Sequence, residues 1–132
     1  MMTDPLVNAI IQLAEASSEV NSLWLYGSRS KGNATAISDY DLAIGFTSRI
    51  QDRLESRLRP ELQAITWATK LQLPQAKLSI IDINQAPIAL AFNAINGTLL
   101  YCKDQGQRMA TEAIIMSKIE LDHQYHQDHY ER

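Results

Sequence analysis

The sequence predicts an α+β domain, close to α/β in character, in which a β-sheet is packed by helices. Short apolar runs alternate with longer segments whose apolar residues recur at helical spacing. The order is not a regular βαβ repeat, and no G-x-G-x-x-G or G-x-x-x-x-G-K-[ST] motif occurs, so a Rossmann fold is not favoured. A chain of 132 residues with 45% apolar content fits a single domain, residues 1–132.

The first third of the chain is expected to form a helix and two strands. Asp4 is suited to cap a helix that has Pro5 at its first position. The run Leu23–Tyr26 predicts a short buried strand, and residues 40–46 predict a second one. The first strand leads directly into Gly27, so a turn is expected at its end.

The region after the second strand is expected to be helical but divided at Pro60. Proline inside a helix removes a hydrogen bond and clashes with the preceding turn. A helix beginning near Pro60 would direct four residues inward: Leu62, Ile65, Ala68 and Thr69.

The last third is expected to form two strands and two helices. Residues 78–83 predict the third strand, and residues 87–95 a short helix ended by Asn96-Gly97 as a glycine cap. An apolar strand around Leu99 and a long C-terminal helix at about 107–132 complete the order.

Composition excludes several classes of protein. The formal net charge of −3 argues against stable binding to nucleic acid, which usually requires a basic surface. No apolar run reaches the length of a membrane span, and the N-terminus does not resemble a signal peptide. The single cysteine, Cys102, lies in an apolar run and is interpreted as a buried small hydrophobe. A cytoplasmic location is expected.

One stretch of the sequence contains the residues that are expected to bind a phosphate group. A strand that ends in Gly27-Ser28 exposes backbone N–H groups at its turn, and glycine allows a phosphate to approach closely. Ser28 adds a hydroxyl group, while Arg29 and Lys31 offer charged contacts to phosphate oxygens. These four residues form the predicted nucleotide-binding set.

Two carboxylates follow at the next strand, after Ser38. Asp39 and Asp41 are two residues apart, so their side chains point to the same face of the strand. Mg²⁺ prefers one or two carboxylates together with substrate phosphates, so the pair is predicted to bind metal and act in catalysis.

The pattern Gly-Ser-x10-Asp-x-Asp, at 27–28 and 39–41, resembles the signature of the DNA polymerase beta-like nucleotidyltransferase superfamily. The chain looks most like the minimal nucleotidyltransferases, or MntA-type antitoxins, and residues 78–87 and 94–101 resemble further parts of that family. The resemblance implies a small mixed β-sheet packed by helices, with ATP as substrate and Mg²⁺ as cofactor at one edge of the sheet. It also implies AMP transfer to a tyrosine of a HEPN RNase toxin, which is neutralised and held in a complex.

The third carboxylate of that family has no direct counterpart here. Where an acid is commonly found, this chain has Ser79, and the nearest acid is Asp82. An offset of three on a regular strand places two side chains on opposite faces. Asp82 is therefore either a third catalytic residue on an irregular strand or a hydrogen-bonding residue of the following turn.

Two other functions stay open. A binding module could neutralise its partner by occlusion alone, which the loss of an acid at Ser79 favours. A nucleotidyltransferase could instead modify a small-molecule hydroxyl, such as that of an aminoglycoside, but the short chain leaves little room for an acceptor-binding domain.

Several surface features are interpreted without a catalytic role. Arg49, Arg53 and Arg57 recur every four residues and are read as a solvated face. The three histidines, at 123, 126 and 129, are read as an exposed helix end. Apolar residues of the last helix indicate core or oligomer contact, so a homo-oligomer stays open. Met109, Ala113 and Met116 share one side of this helix with Glu120, and Ile115 and Ile119 lie nearby.

Overall fold

The structure is a computed structural model that describes residues 4–32 and 39–130. Ser38 lies outside these residues, and so do the side chains of His126 and His129. The elements are α1 (Pro5–Ala16), β1 (Val20–Tyr26), α2 (Ser28–Lys31), β2 (Tyr40–Phe46), α3 (Arg53–Leu71), a 3-10 turn (Gln75–Lys77), β3 (Leu78–Asp82), α4 (Ile88–Ile95), β4 (Thr98–Cys102) and α5 (Gln105–Tyr130).

The four strands form one mixed sheet in the order β3-β2-β1-β4. β1 pairs antiparallel with β2 and β4, whereas β2 and β3 run parallel. Helices cover both faces, which confirms the predicted α+β architecture. Within the part of the chain that the structure describes, no helix has the length and apolar character needed to cross a bilayer.

The two faces of the sheet have separate apolar cores. On one face, alternate residues of β1 and β2, such as Leu23 and Leu42, pack with Ile10 of α1 and Trp67 of α3. On the other face, residues such as Trp24 and Ala43 pack against α4 and α5. Every residue of β1 is buried because this central strand is covered on both sides.

The helix α1 begins as the sequence predicts. Asp4 caps it by accepting a hydrogen bond from the backbone N–H of Leu6 at 2.9 Å, and Pro5 takes the first helical position. Val7, Ile10 and Ala14 form its buried stripe. The N-terminus of the described chain is thereby fixed on the sheet.

The predicted break at Pro60 is wrong, because α3 runs through this residue without interruption. Proline has no N–H to donate to the carbonyl of Ser56, four residues earlier. That carbonyl accepts a hydrogen bond from Nε2 of Gln85 at 3.1 Å instead. A side chain from the turn after β3 thus replaces the missing helical hydrogen bond.

The predicted inner face of α3 is wrong in part. Ala68 is buried, together with Trp67, but Leu62 and Ile65 are exposed, as is Thr69. The inward face of α3 is instead formed by Ala64, Trp67, Ala68 and Leu71, which recur at helical spacing and pack into the core. Arg49 precedes α3, so only Arg53 and Arg57 of the arginine series belong to this helix.

Two smaller expectations also need correction. Gly97 does not cap α4 in a left-handed conformation; positive φ occurs among described glycines at Gly27 and Gly32. Gly97 is required because an added Cβ would collide with the backbone oxygen of Leu25. Cys102 is half-buried rather than fully buried, because β4 is an edge strand.

We predict that Gln85→Ala lowers the free energy of unfolding by about 0.5–1.5 kcal/mol, because the carbonyl of Ser56 loses its partner. In a Pro60→Ala background, the restored backbone N–H can serve that carbonyl, so Gln85→Ala should cost less. Urea unfolding of the two single variants and the double variant measures this coupling. Equal costs of Gln85→Ala in both backgrounds would contradict the explanation.

Candidate active site

The turn after β1 is built around Gly27. Its φ of +74° lies in the left-handed region, where residues with a Cβ are strained. A Cβ added here would also collide with Oδ2 of Asp41 on the neighbouring strand. The positive φ requires glycine, and the absence of a Cβ lets the carboxylate of Asp41 lie directly against the turn.

The start of β2 places the two predicted metal ligands beside this turn. Asp41 pairs with Tyr26 across β1 and β2 and is half-buried, while Asp39 is exposed just before the strand. Burial raises the pKa of the Asp41 carboxyl, and the charge of Asp39 raises it further. Burial and the charge of Asp41 also raise the pKa of Tyr26 to about 12. Negative charge is thus concentrated at one end of the sheet.

This site suits a divalent cation that is shared with a substrate. A cation near Asp39 and Asp41 would relieve both the mutual repulsion and the burial of charge. Among residues 4–32 and 39–130, no group of three or more His, Cys, Asp or Glu side chains is arranged to hold a metal. Mg²⁺ commonly binds through one or two carboxylates and takes its other ligands from phosphates and water. The two carboxylates fit that requirement.

Arg29 takes an inward position that the sequence does not predict. Its guanidinium lies over the ring of Tyr40, 3.9 Å from the ring centroid, and 3.9 Å from a carboxylate oxygen of Asp4. Tyr40 in turn donates a hydrogen bond to Asp4 at 2.6 Å. Since Tyr40 stands between Asp39 and Asp41, this cluster connects the cap of α1 to the carboxylate pair.

The rest of α2 completes the turn. The backbone N–H groups of Ser30 and Lys31 donate to the carbonyl of Gly27 at 3.2 and 3.1 Å. The hydroxyl of Ser30 lies 2.8 Å from that of Thr98 on β4, so the turn is fastened to the sheet on both sides. Ser28 is half-buried and Lys31 is exposed, which leaves the ammonium group of Lys31 open to solvent.

Ser79 stands beside Asp41 on the parallel strand β3. The two residues are direct partners in the register of β2 and β3, and Ser79 is exposed. Partners in register point to the same face of the sheet, so the side chain of Ser79 faces the site. The position nearest to the carboxylate pair on β3 therefore carries a hydroxyl group.

Asp82, predicted as a third catalytic carboxylate, is not brought to this site. It pairs with Ile44, so its side chain lies on the opposite face of the sheet from Asp41. It is 5% exposed and accepts hydrogen bonds from the backbone of Asn84 and from Nε2 of Gln85, at 2.9 and 2.8 Å. The regular strand thus places Asp82 in the turn that follows it.

Asp82 also belongs to a different cavity, at the far end of β2. Its carboxylate lies 3.8 Å from the guanidinium of Arg59, which stacks on Phe46 at 3.8 Å and donates to the carbonyl of Ser48 at 3.0 Å. A cavity of about 550 Å³ is lined by these residues and by part of α5. Asp82 thus forms its ion pair and hydrogen bonds outside the candidate active site.

Three site residues escaped the sequence reasoning. Asp4 was interpreted only as a helix cap, although its second carboxylate oxygen binds Tyr40. Tyr26 is predicted only as the end of the first strand, and its pairing with Asp41 follows from strand register. Thr98 carried no signal at all, because its contact with Ser30 spans 68 positions.

The chain matches a known protein family over most of its length. The family described as "Polymerase beta, Nucleotidyltransferase" matches residues 8–106, a stretch that includes the turn, both aspartates and β1 to β4. A search of curated proteins finds no match to this chain.

Several solved structures share the fold along most of their length. A chain from a toxin–antitoxin structure with AMP-PNP has a TM-score of 0.70 at 20% identity, covering 92% of this chain and 93% of that one. A chain from an MntA–HepT toxin–antitoxin structure has a TM-score of 0.65 at 17% identity, and the match covers 93% of this chain and 92% of that one. A chain from a structure of the tri-AMPylated Shewanella oneidensis HEPN toxin in complex with MNT antitoxin has a TM-score of 0.64 at 18% identity. This match covers 93% of this chain and 91% of that one.

We predict that Gly27→Ala and Gly32→Ala differ in activity although both replace a glycine of positive φ. Each should lose about 1–3 kcal/mol of stability from backbone strain. Only at Gly27 does the added Cβ meet Asp41; nothing lies within 4 Å at Gly32. Thermal unfolding together with a nucleotide-binding titration separates the two effects. Equal loss of nucleotide binding in both variants would contradict the role of the Gly27–Asp41 contact.

Proposed function

We propose that this chain, which belongs to the polymerase beta nucleotidyltransferase family, transfers AMP from ATP to a tyrosine of a HEPN RNase toxin. It would thereby act as the antitoxin of a toxin–antitoxin pair, working in the cytoplasm. The observation that carries the proposal is the contact of the Asp41 carboxylate with the Gly27 turn, beside Asp39. A phosphate-binding turn and a metal-binding pair are thus combined in one place.

Each residue of the site has a distinct role in binding the nucleotide. The lack of a Cβ at Gly27 lets a phosphate approach the backbone closely. The hydroxyl of Ser28 and the ammonium of Lys31 would contact phosphate oxygens. Arg29 would support the site indirectly, because its guanidinium packs on Tyr40 and lies near Asp4. It also adds positive charge behind the turn.

Asp39 and Asp41 would hold Mg²⁺, which supplies charge neutralisation at the phosphates when bound. In the transfer, the tyrosine oxygen forms a bond to the α-phosphorus while the bond from that phosphorus to the β-phosphate bridging oxygen breaks. Pyrophosphate leaves, and the tyrosine proton passes to water or a neighbouring base. Ser79 beside Asp41 offers no carboxylate for that proton.

The choice of a HEPN toxin as acceptor is supported by the structural neighbours. The matching chains come from toxin–antitoxin structures, and one of these contains a tri-AMPylated HEPN toxin. This chain and its neighbours cover each other by more than nine-tenths of their lengths. Because the neighbours come from complexes with a toxin protein, they favour a protein acceptor over an aminoglycoside.

A second function, neutralisation by occlusion alone, is favoured by one observation. Only two carboxylates come together at the site among the described residues, and Ser79 takes the position beside Asp41. A protein with a weakened site could still bind and cover its toxin. The two functions differ in whether neutralisation requires Asp39 and Asp41.

We predict that the chain adds AMP to its HEPN partner and that Asp39→Asn/Asp41→Asn lowers the rate at least about a hundredfold. The measurement is intact-mass analysis of the protein encoded by the adjacent gene, the expected HEPN partner, after incubation with this chain, α-labelled ATP and Mg²⁺. Glu15→Gln, which removes an exposed carboxylate of α1, is the matched control and should retain the wild-type rate. An aminoglycoside mixture serves as the alternative acceptor.

The outcomes separate the candidates. Mass gains on the HEPN protein in AMP units support the proposal. Full neutralisation of the toxin in cells by Asp39→Asn/Asp41→Asn would instead establish occlusion, and label on the aminoglycosides alone would indicate a small-molecule transferase.

We predict that Ser79→Asp raises the transfer rate by about tenfold to a hundredfold, because it places a carboxylate beside Asp41 on an exposed position of β3. Ser79→Asn has nearly the same shape without charge and should give no increase. Single-turnover rates at several Mg²⁺ concentrations distinguish a faster step from tighter metal binding. The same rate for both variants would argue against a site limited by its carboxylates.

A further inference from the structure

The helix α3 has a second apolar face that nothing in the described chain covers. Its members, the outer stripe, are Leu54, Leu58, Leu62 and Ile65, with exposed fractions of 65%, 40%, 58% and 41%. At about 100° per residue, these four lie within one sector of the helix. The buried residue Trp67 lies on the opposite side, against the sheet, and the buried Ala68 lies between the two faces. The helix is therefore apolar on two sides.

The outer stripe is remote from the candidate active site. It occupies the part of α3 that follows the end of β2, whereas Asp39 and Asp41 stand at the start of that strand. A contact along the stripe would leave the Gly27 turn open to solvent. Whatever covers the stripe has no need to compete with the nucleotide.

We infer that the outer stripe binds a second copy of the chain, with the two α3 helices antiparallel across a two-fold axis near Pro60. Counted from this point, Leu58 and Leu62 are nearly equidistant, and so are Leu54 and Ile65. An antiparallel copy therefore places Leu58 against Leu62 of the second copy, and Leu54 against its Ile65. A two-fold contact needs such a self-complementary patch, because the same residues serve both sides.

The charged residues beside the outer stripe are compatible with the same two-fold arrangement. Arg57 and Glu61 lie along one edge, and in an antiparallel helix pair each edge meets its own counterpart. Glu61 then lies close to Arg57 of the second copy, and the two copies together form a neutral group of four charges. At the other edge, Glu55 comes close to Thr66 of the second copy, which adds no repulsion. The contact thus buries the apolar residues of the outer stripe and pairs the charged residues beside it.

The inference does not depend on the proposed AMP transfer, and it is tested on the full chain alone. Sedimentation velocity across a wide concentration range should show a dimer, and Leu58→Glu/Leu62→Glu should weaken it at least about tenfold. Both positions are exposed, so circular dichroism should show an unchanged fold. Leu121→Glu, at an equally exposed apolar residue of α5, is the matched control and should leave the dimer intact.

Two further measurements fix the arrangement. Arg57→Glu and Glu61→Arg should each weaken the dimer, whereas the combined exchange should restore it. In a Cys102→Ser background, a mixture of Leu58→Cys and Leu62→Cys chains should cross-link to each other more than to themselves.

Three results would overturn the inference. The first is a chain that is monomeric at every concentration. The second is preferential cross-linking of Leu58→Cys to itself, which would indicate parallel helices. The third is loss of the complex with the HEPN protein, without any effect on self-association, in Leu58→Glu/Leu62→Glu; the stripe would then belong to that partner.

Discussion

The contact between the Asp41 carboxylate and the Gly27 turn is the constraint on which the site depends. It requires a left-handed residue without a side chain at the end of β1, and it requires the register that pairs Tyr26 with Asp41. The same contact holds a half-buried negative charge near a second one, at a cost shown by the raised pKa of Asp41. A bound cation would offset that cost, because its charge counters the repulsion between the two carboxylates.

The architecture around this contact divides its tasks between the two faces of the sheet. The face covered by α4 and α5 carries Tyr26, Asp41 and Ser79, and so forms the floor of the site. The face covered by α1 and α3 carries the larger apolar core and receives Asp82. Tyr40 joins the two parts, since its ring lies in that core while its hydroxyl reaches Asp4. The rigid centre of the fold thereby positions an exposed reactive edge.

Long-range hydrogen bonds explain where simple sequence rules do not apply. Proline is a helix breaker because it leaves a carbonyl without a partner, but Gln85 supplies that partner to α3 from the turn after β3. The same glutamine binds Asp82, so one side chain supports a helix and a strand end together. An uninterrupted α3 then exposes Leu62 and Ile65, which a helix beginning at Pro60 was expected to bury.

The sequence by itself determined the order of the strands, the cap at Asp4 and the turn with its two aspartates, because these follow from local chemistry and from spacing along the chain. Tertiary structure decided three things that no local pattern contains. The register between β2 and β3 places Ser79, rather than Asp82, beside Asp41. Packing drew Arg29 inward over Tyr40. A distant glutamine kept α3 whole. Each depends on pairs of residues far apart in the chain, whose meeting is fixed only when the sheet forms.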